Sequence, residues 1–235
     1  MARTLADQTE AELGGARSVL VQQRRDHQHL DQLLNRIAAT TGAERQETLT
    51  ALCRLVFPHA FAEEAVLWPL LRRVLPDGHE LTLRVEQEHQ EINELFTVLE
   101  TTEPDTPAYE ELLERITVLL RADVRDEEDI LLPRLQQVAD AKTLRRAGLA
   151  WLLVRRTAPT RPHPVVARRP PGNSLAALPL SPLDRSRDRL DQLSRRAPAR
   201  IARGCARVSR ALAATAGAVE HLPPLRRGED PSTRA

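Results

Sequence analysis

One segment of this chain occurs twice, and that repeat restricts the fold more than any other feature. The first copy reads HQHLDQLLNRI from His27 and resumes as PHAFAEEAVLWPLLRR from Pro58; the second reads HQEINELFTVL from His89 and resumes as ADVRDEEDILLPRLQQ from Ala122. In each copy a His takes a core-facing position of one helical pattern. A later segment then sets a metal-capable side chain four residues before the first Glu of a Glu-Glu pair. Residues four apart share a helix face, so His59 points with Glu63 and Asp123 with Glu127. Two such helix hairpins predict a four-helix bundle with metal at its centre.

Apolar periodicity places the helices. The first is expected over about residues 16–40, with Leu20, His27, Leu30, Leu34 and Ile37 in its stripe and Leu33 beside it, and is broken by Gly42. A second spans about 43–75, its face carrying Leu52, Leu55, Val56, His59, Glu63, Val66, Leu67 and Leu70. Pro58 inside it removes a backbone donor and predicts a kink, and Pro69 predicts an end or bend in the last turn. Pro76-Asp77-Gly78 reads as a turn with Asp77 as N-cap. A third helix runs to about residue 101 with Leu81, Val85, His89, Ile92, Phe96 and Leu99 on one face. Thr106-Pro107 is a capping pair that opens a fourth. Its expected stripe is Leu112, Ile116, Leu119, Asp123, Glu127, Ile130 and Leu131, and Pro133 stands where Pro69 stands in the first copy. Such short connections require antiparallel neighbours, so the fold class is all-α: an up-down-up-down four-helix bundle over residues 16–140.

Charge divides the chain after that. Residues 1–140 hold 14 Arg against 27 Asp and Glu, a net of −13; residues 141–235 hold 20 Lys and Arg against 6 Asp and Glu, a net of +14, and together they make the chain's +1. The basic part, residues 141–222, reads as additional helices interrupted by a Pro-rich linker near 158–182. A helix is expected from Lys142 to Arg156, another from Ser181-Pro182, and a last one to about His221. The tail 223–235 is expected to be disordered. Docking on the acidic bundle is the simplest use of the positive charge; nucleic acid or anionic lipid are the alternatives. Aromatics make up only 3% of the chain, which favours a core of packed aliphatic helices. The first fifteen residues lack the apolar stretch of a secretory signal, and no apolar run approaches the roughly 18–20 residues of a membrane span. Cys53 and Cys205 form no spaced cluster, so a reducing cytoplasm is the expected location.

The candidate ligands are His27, His59, Glu63, His89, Asp123 and Glu127. Imidazole mixed with carboxylate suits iron and manganese, and zinc is an alternative. A carboxylate on a core face is costly unless paired or coordinated, and three together call for two metal cations. His29, Glu64, Glu86, Glu88 and Glu128 are excluded by helical phase, although Glu64 or Glu128 can reach the ligands from outside. His79, His163 and His221 read as surface or loop residues. No nucleophile motif and no phosphate-binding Gly loop appears.

At this point residues of about 19–138 resemble the hemerythrin-like, HHE cation-binding family. The resemblance rests on DHQHLDQLL, on His59-x-x-x-Glu63-Glu64 with LWP, on EHQEINELF and on DVRDEEDILLP. The basic segment TAPTRPHPVVARRPPGN resembles a C-terminal extension of some bacterial members. What the resemblance implies is a non-haem di-iron site bridged by carboxylates, in proteins that bind dioxygen, sense oxygen or iron, handle nitric oxide or peroxide, or store iron. His27, His59, Glu63, His89 and Glu127 fall on family ligand positions. The family's fourth-helix His is Asp123 here, and the extra third-helix His of the oxygen carriers would fall at Asn93. Three His with three carboxylates make a harder, more anionic set than the carriers use, which disfavours reversible dioxygen binding. The expected protein binds two irons, with Glu63 and Glu127 bridging and the other four residues terminal, and reacts with or senses dioxygen, peroxide or nitric oxide, or handles iron. Turnover, as peroxide or nitric oxide scavenging, is left open. The alternative is a metal-regulated interaction module whose basic half binds a partner, nucleic acid or a membrane.

Overall fold

The computed structural model describes residues 3–234. Among them no strand occurs. Helix α1 spans Val19–Ala39, α2 Gly42–Ala62, α3 Trp68–Val74, α4 Gly78–Thr101, α5 Pro107–Asp126 and α6 Leu132–Val138. Between α2 and α3 lies a π-helical turn, Glu63–Leu67, and between α5 and α6 a second one, Glu127–Leu131. The two composite rods pack with α1 and α4 as the four antiparallel columns of a bundle.

Local sequence explains the ends. Ser18 caps α1 by accepting from Leu20 N, and the Thr106 hydroxyl caps α5 by accepting from Tyr109 N. Asp77 stands at the head of α4 but makes no cap bond; its carboxylate grips Arg134 of α6 through two 2.7 Å hydrogen bonds. The helix continues through Pro58, and the break in the regular ladder falls at Glu63 instead. Neither Pro69 nor Pro133 ends its helix. Each follows a wide turn closed by a bond five residues long, Trp68 N to Glu63 O and Leu132 N to Glu127 O. A proline cannot donate to the carbonyl four residues back and its ring crowds it; the wide turn accommodates both defects.

Two apolar clusters fill the bundle, one at each end. One holds Leu30, Leu34, Ile37, Leu52, Val56, Phe57, Ile92, Phe96, Leu113, Ile116 and Leu120. The other holds Leu20, Leu67, Trp68, Leu71, Val85, Leu131 and Leu135. In the fourth stripe Ile116, Glu127 and Leu131 are buried as expected, but Leu113 and Leu120 are buried in place of the expected Leu112 and Leu119, which are only partly so, and Ile130 is exposed.

The basic half packs against this bundle. Helix α7, Ala141–Thr157, joins the second cluster through Leu144, Ala147 and Trp151, whereas Leu149 and Leu152 face solvent. It approaches so closely that a Cβ on Gly148 would lie 2.1 Å from Arg17 O. After the segment 158–171, α8 (Gly172–Arg196) starts nine residues before the expected Ser181 and runs through Pro179 and Pro182. The carbonyls those prolines leave free belong to Leu175 and Leu178, both exposed, so water can satisfy them. Helix α9, Ala199–Glu220, packs antiparallel on α8.

The Pro-rich segment is fixed by buried charge. Asp184 Oδ2 accepts from Thr160 N at 2.9 Å and Arg161 N at 3.1 Å, and lies 3.1 Å from His163 Nε2; Glu220 sits 3.2 Å from His163 Nδ1. His163 is therefore buried, contrary to its reading as a surface residue. Burial alone would lower its pKa, but Asp184 and Glu220 outweigh this and raise it to about 9. The described tail also departs from the expected disorder. Pro223–Arg226 and Pro231–Arg234 are 3-10 turns, Leu225 is buried, and Ser232 O accepts from Gln87 of α4. No described helix is long and apolar enough to cross a membrane.

Gly148→Ala tests the docking of α7. Better helix propensity would contribute about 1 kcal/mol, but the new methyl meets backbone that cannot yield. The expected outcome is a net loss of about 1–3 kcal/mol in urea unfolding at 25 °C. Unchanged or increased stability would contradict the close approach.

Candidate metal centre

All six side chains singled out by the repeat converge between the two apolar clusters. His27 comes from α1, His59 from α2, Glu63 and Glu127 from the first residues of the two π turns, His89 from α4 and Asp123 from the last turn of α5. One group, His27, His59, Glu63 and Glu127, and a second, His89, Asp123 and Glu127, each bring one ligand atom per residue within 4.8 Å of one another. Glu127 belongs to both. Glu63 also reaches both ways: Oε1 lies 3.2 Å from His59 Nε2, and Oε2 lies 3.6 Å from His89 Nε2. His27 Nε2 is 3.3 Å from His59 Nε2 and 3.1 Å from Glu127 Oε2.

Each imidazole is held from behind by a carboxylate. His27 Nδ1 is 2.8 Å from Glu128, His59 Nδ1 is 3.0 Å from Asp26, and His89 Nδ1 is 3.1 Å from Glu64. These partners can each accept from an Nδ1 proton and turn Nε2 inward, so that a ring that gives up its Nε2 proton presents a lone pair to a metal, the arrangement that histidine metal ligands adopt. Glu64 and Glu128 thus do reach the histidines. Successive helical residues point about 100° apart, and here the second Glu of each pair is buried and points at a histidine of another helix, not at the centre. Glu86 is also fully buried, but away from the centre, between Arg72 and Arg169.

Several parts of the site carried no signal in the repeat. Asp26 gave none, because its partner His59 lies on another helix. Gln23 donates to Glu63 Oε1 at 2.7 Å. Trp151 sets its ring edge-on to His59 at 5.0 Å, and Trp68 lies over His89 at 6.3 Å. The basic half also supplies Arg155, 2.7 Å from Asp26, and Arg168, 3.7 Å from Glu64. Asn93 takes no part in either ligand group. It donates to His89 O at 2.9 Å and accepts from His163 N at 3.1 Å, linking α4 to the Pro-rich segment.

The electrostatics describe a cluster that needs cations. Burial raises Glu127 well above the usual carboxylate range, and the negative neighbours Glu63 and Asp123 add to it. Burial also raises Asp123, to about 6, against the pull of His89. Glu63 goes the other way: burial would raise it, but His59, His89 and His27 bring it down to about 2. Burial opposes charge on the two histidines, yet Glu63 with Asp26 raises His59 to about 9, and Asp123, Glu64 and Glu63 raise His89 to about 10. In the metal-free chain, protons therefore stand where cations would. Glu63 Oε2, Asp123 Oδ1 and both oxygens of Glu127 are buried without a hydrogen-bond partner. Such orphaned carboxylate oxygens are costly in an apolar interior. Their convergence with inward-facing Nε2 atoms fits a metal site of nitrogen and oxygen donors.

The comparisons with known proteins agree with this geometry. Residues 19–135 match the Hemerythrin HHE cation binding domain. Those residues, just under half of the chain, form a domain of the hemerythrin HHE cation-binding family. Membership implies metal binding, in this family typically of iron. An uncharacterized hemerythrin-like protein of the fission yeast Schizosaccharomyces pombe is 24% identical over 136 residues, covering 57% of this chain and 66% of the relative. The match thus spans just under two thirds of that relative's length. No solved structure matches.

Because His59 and His89, raised to about 9 and about 10, hold protons at neutral pH, metal must displace them. Titrating the metal-free hemerythrin-like protein with zinc, a redox-silent probe, should release protons at pH 7. Affinity should fall from pH 8 to pH 6 as protons compete more strongly, and should stop rising once pH passes about 9 to 10, where the two histidines are already neutral. Calorimetry in buffers of different ionisation enthalpy counts the protons. PH-independent affinity without release would contradict the protonated cluster.

Proposed function

We propose that the protein binds two iron ions through His27, His59, Glu63, His89, Asp123 and Glu127, and that it reacts with or senses a small oxidant: dioxygen, peroxide or nitric oxide. The observation that carries this reading is the sharing of Glu127 between two ligand groups: neither of its oxygens is hydrogen-bonded, although His27 Nε2 stands 3.1 Å from Oε2. Glu63 and Glu127 would be shared between the two ions, with the three histidines and Asp123 completing the two donor sets. Iron, when bound, would supply redox chemistry toward the small oxidant.

The chain's own residues restrict what can arrive. A cavity of about 20 Å³ borders the centre, walled by Leu30, Val56, Phe57, Ile92 and Leu120, with His59, His89 and Asp123 on its polar side. That is room for about one water-sized molecule, which admits a diatomic or a peroxide and excludes an organic substrate. Glu128, Asp26 and Glu64 hold the imidazoles in place, and Trp151 and Trp68 keep water from their flanks. The high carboxylate content favours the ferric state over the ferrous one, which supports sensing, scavenging or iron handling over reversible oxygen carriage.

The alternative role for the basic half, as a free partner-binding module, has less support. Arg155 pairs with Asp26, Arg161 with Glu100, Arg169 with Glu86 and Arg196 with Glu47, all within the chain.

Protein purified from iron-replete, aerated culture should carry near two irons per chain and show near-ultraviolet charge-transfer absorption. Glu63→Ala should hold fewer than two; a variant that keeps both irons would refute the bridging assignment. Asp123→His exchanges an anionic ligand for a neutral one and should raise the reduction potential of the iron centre in spectroelectrochemical titration. A potential at or below that of the natural chain would show that Asp123 is not a ligand.

A further inference from the structure

The seam between the bundle and the basic half contains a second site, independent of the metal reading. Where α2, α7 and α8 meet, a crevice of about 290 Å³ is lined by Arg54, Arg155, Arg156 and Arg185, with Thr160 among them and no carboxylate in the lining. Its apolar wall is Pro58 and Leu152. Arg54 and Arg155 also border a larger cleft of about 490 Å³, which adds His29, Thr50, Gln192 and Arg195. Shared residues make the two spaces neighbours along one groove.

Two carboxylates, Glu47 and Asp188, line the larger cleft. Both already have partners elsewhere: Glu47 meets Arg196 at 3.1 Å, and Asp188 meets Arg161 at 3.0 Å and Thr160 Oγ1 at 2.8 Å. Arg54 approaches Asp188 no closer than 3.9 Å. Arg185 spends its guanidinium on Ser181 Oγ and on the carbonyls of Arg156 and Ala158. Arg156 is exposed and has no carboxylate within ion-pair distance among the described residues. Only Arg155 has a close acid, Asp26 at 2.7 Å. Arg161, Arg168, Arg169, Arg187 and Arg196 of the basic half are each matched to an acid of the bundle. Here four crowd one concave surface with a single close acid between them, and mutual repulsion favours a multiply charged anion.

We propose that this groove binds a phosphate-bearing small molecule, with its phosphate in the arginine crevice and its remainder along the larger cleft. Guanidinium forks match phosphate oxygens in geometry as well as charge. The combined space suits a ligand of nucleotide size, within the roughly 300–1,000 Å³ usual for such sites. The arginines gather at one end of the groove rather than along an extended face, which fits a small molecule with one phosphate end better than a polymer.

Calorimetric titration of the full-length protein as purified, with inorganic phosphate and with AMP, tests the proposal at low salt and at 0.5 M NaCl. Saturable one-to-one binding is expected, tighter for AMP than for phosphate and retained in part at high salt. The double substitution Arg54→Ala with Arg156→Ala should weaken it at least tenfold. Both residues are exposed, so the circular dichroism and the melting temperature should stay unchanged and show that the variant is folded. The proposal is overturned by three outcomes: no saturable binding of either probe; binding that the double substitution leaves intact, which would place the phosphate outside this groove; or binding of duplex DNA without binding of AMP.

Discussion

Three imidazoles and three carboxylates lie buried between two apolar clusters, and the rest of the structure is arranged around that layer. Isolated buried charges are costly enough that a carboxylate in such a place normally takes up a proton or finds a partner. Here the groups partner one another incompletely: Glu63 is held well below the ordinary carboxylate range by the histidines, while Glu127 is pushed well above it by burial and by its negative neighbours. The layer divides what would otherwise be a single core. His27 interrupts the apolar stripe between Leu20 and Leu30, and His89 interrupts it between Val85 and Ile92. A bundle selected for stability alone would fill these positions with Leu. The apolar ends supply the stability, and the middle is kept for cation chemistry.

The wide turns at Glu63–Leu67 and Glu127–Leu131 connect local sequence to this layer. π turns inside helices concentrate at functional sites because they spoil the regular ladder without a structural return. In this chain each precedes a proline, Pro69 or Pro133, whose missing donor has already weakened the regular helix. The consequence is positional. The first Glu of each pair reaches the centre and the second reaches the back of a histidine on another helix, so one dipeptide serves two roles in each half.

Much of this was legible in the sequence and some of it was not. The four columns, the Thr106 cap and the six converging residues follow from spacing, because helical phase is a local property and the repeat supplies it twice. Helical phase excludes Glu64 and Glu128 as ligands but leaves them able to reach the ligands from outside, and there they stand, behind His89 and His27. The early start of α8 was hidden by Pro179 and Pro182, which read as linker residues until the exposure of their partner carbonyls is known. Asp26, Arg155 and His163 depend on contacts between elements far apart in the chain. Periodicity carries no information about such pairs, and His163 became a buried ion-paired residue only because Asp184 and Glu220 arrive from α8 and α9.

Helix α7 begins after the last residue that the family comparison covers, yet it places Trp151 against His59 and Arg155 against Asp26. The unit that tunes the histidines is therefore longer than the domain that supplies them. Relatives that share only the bundle would present the same ligands in a different dielectric and with a different hydrogen-bond support. Transferring redox or affinity values between such proteins on the strength of matching ligands alone would compare unlike centres. A design that grafts this site onto another scaffold would need residues 141–157 as much as the two histidine repeats.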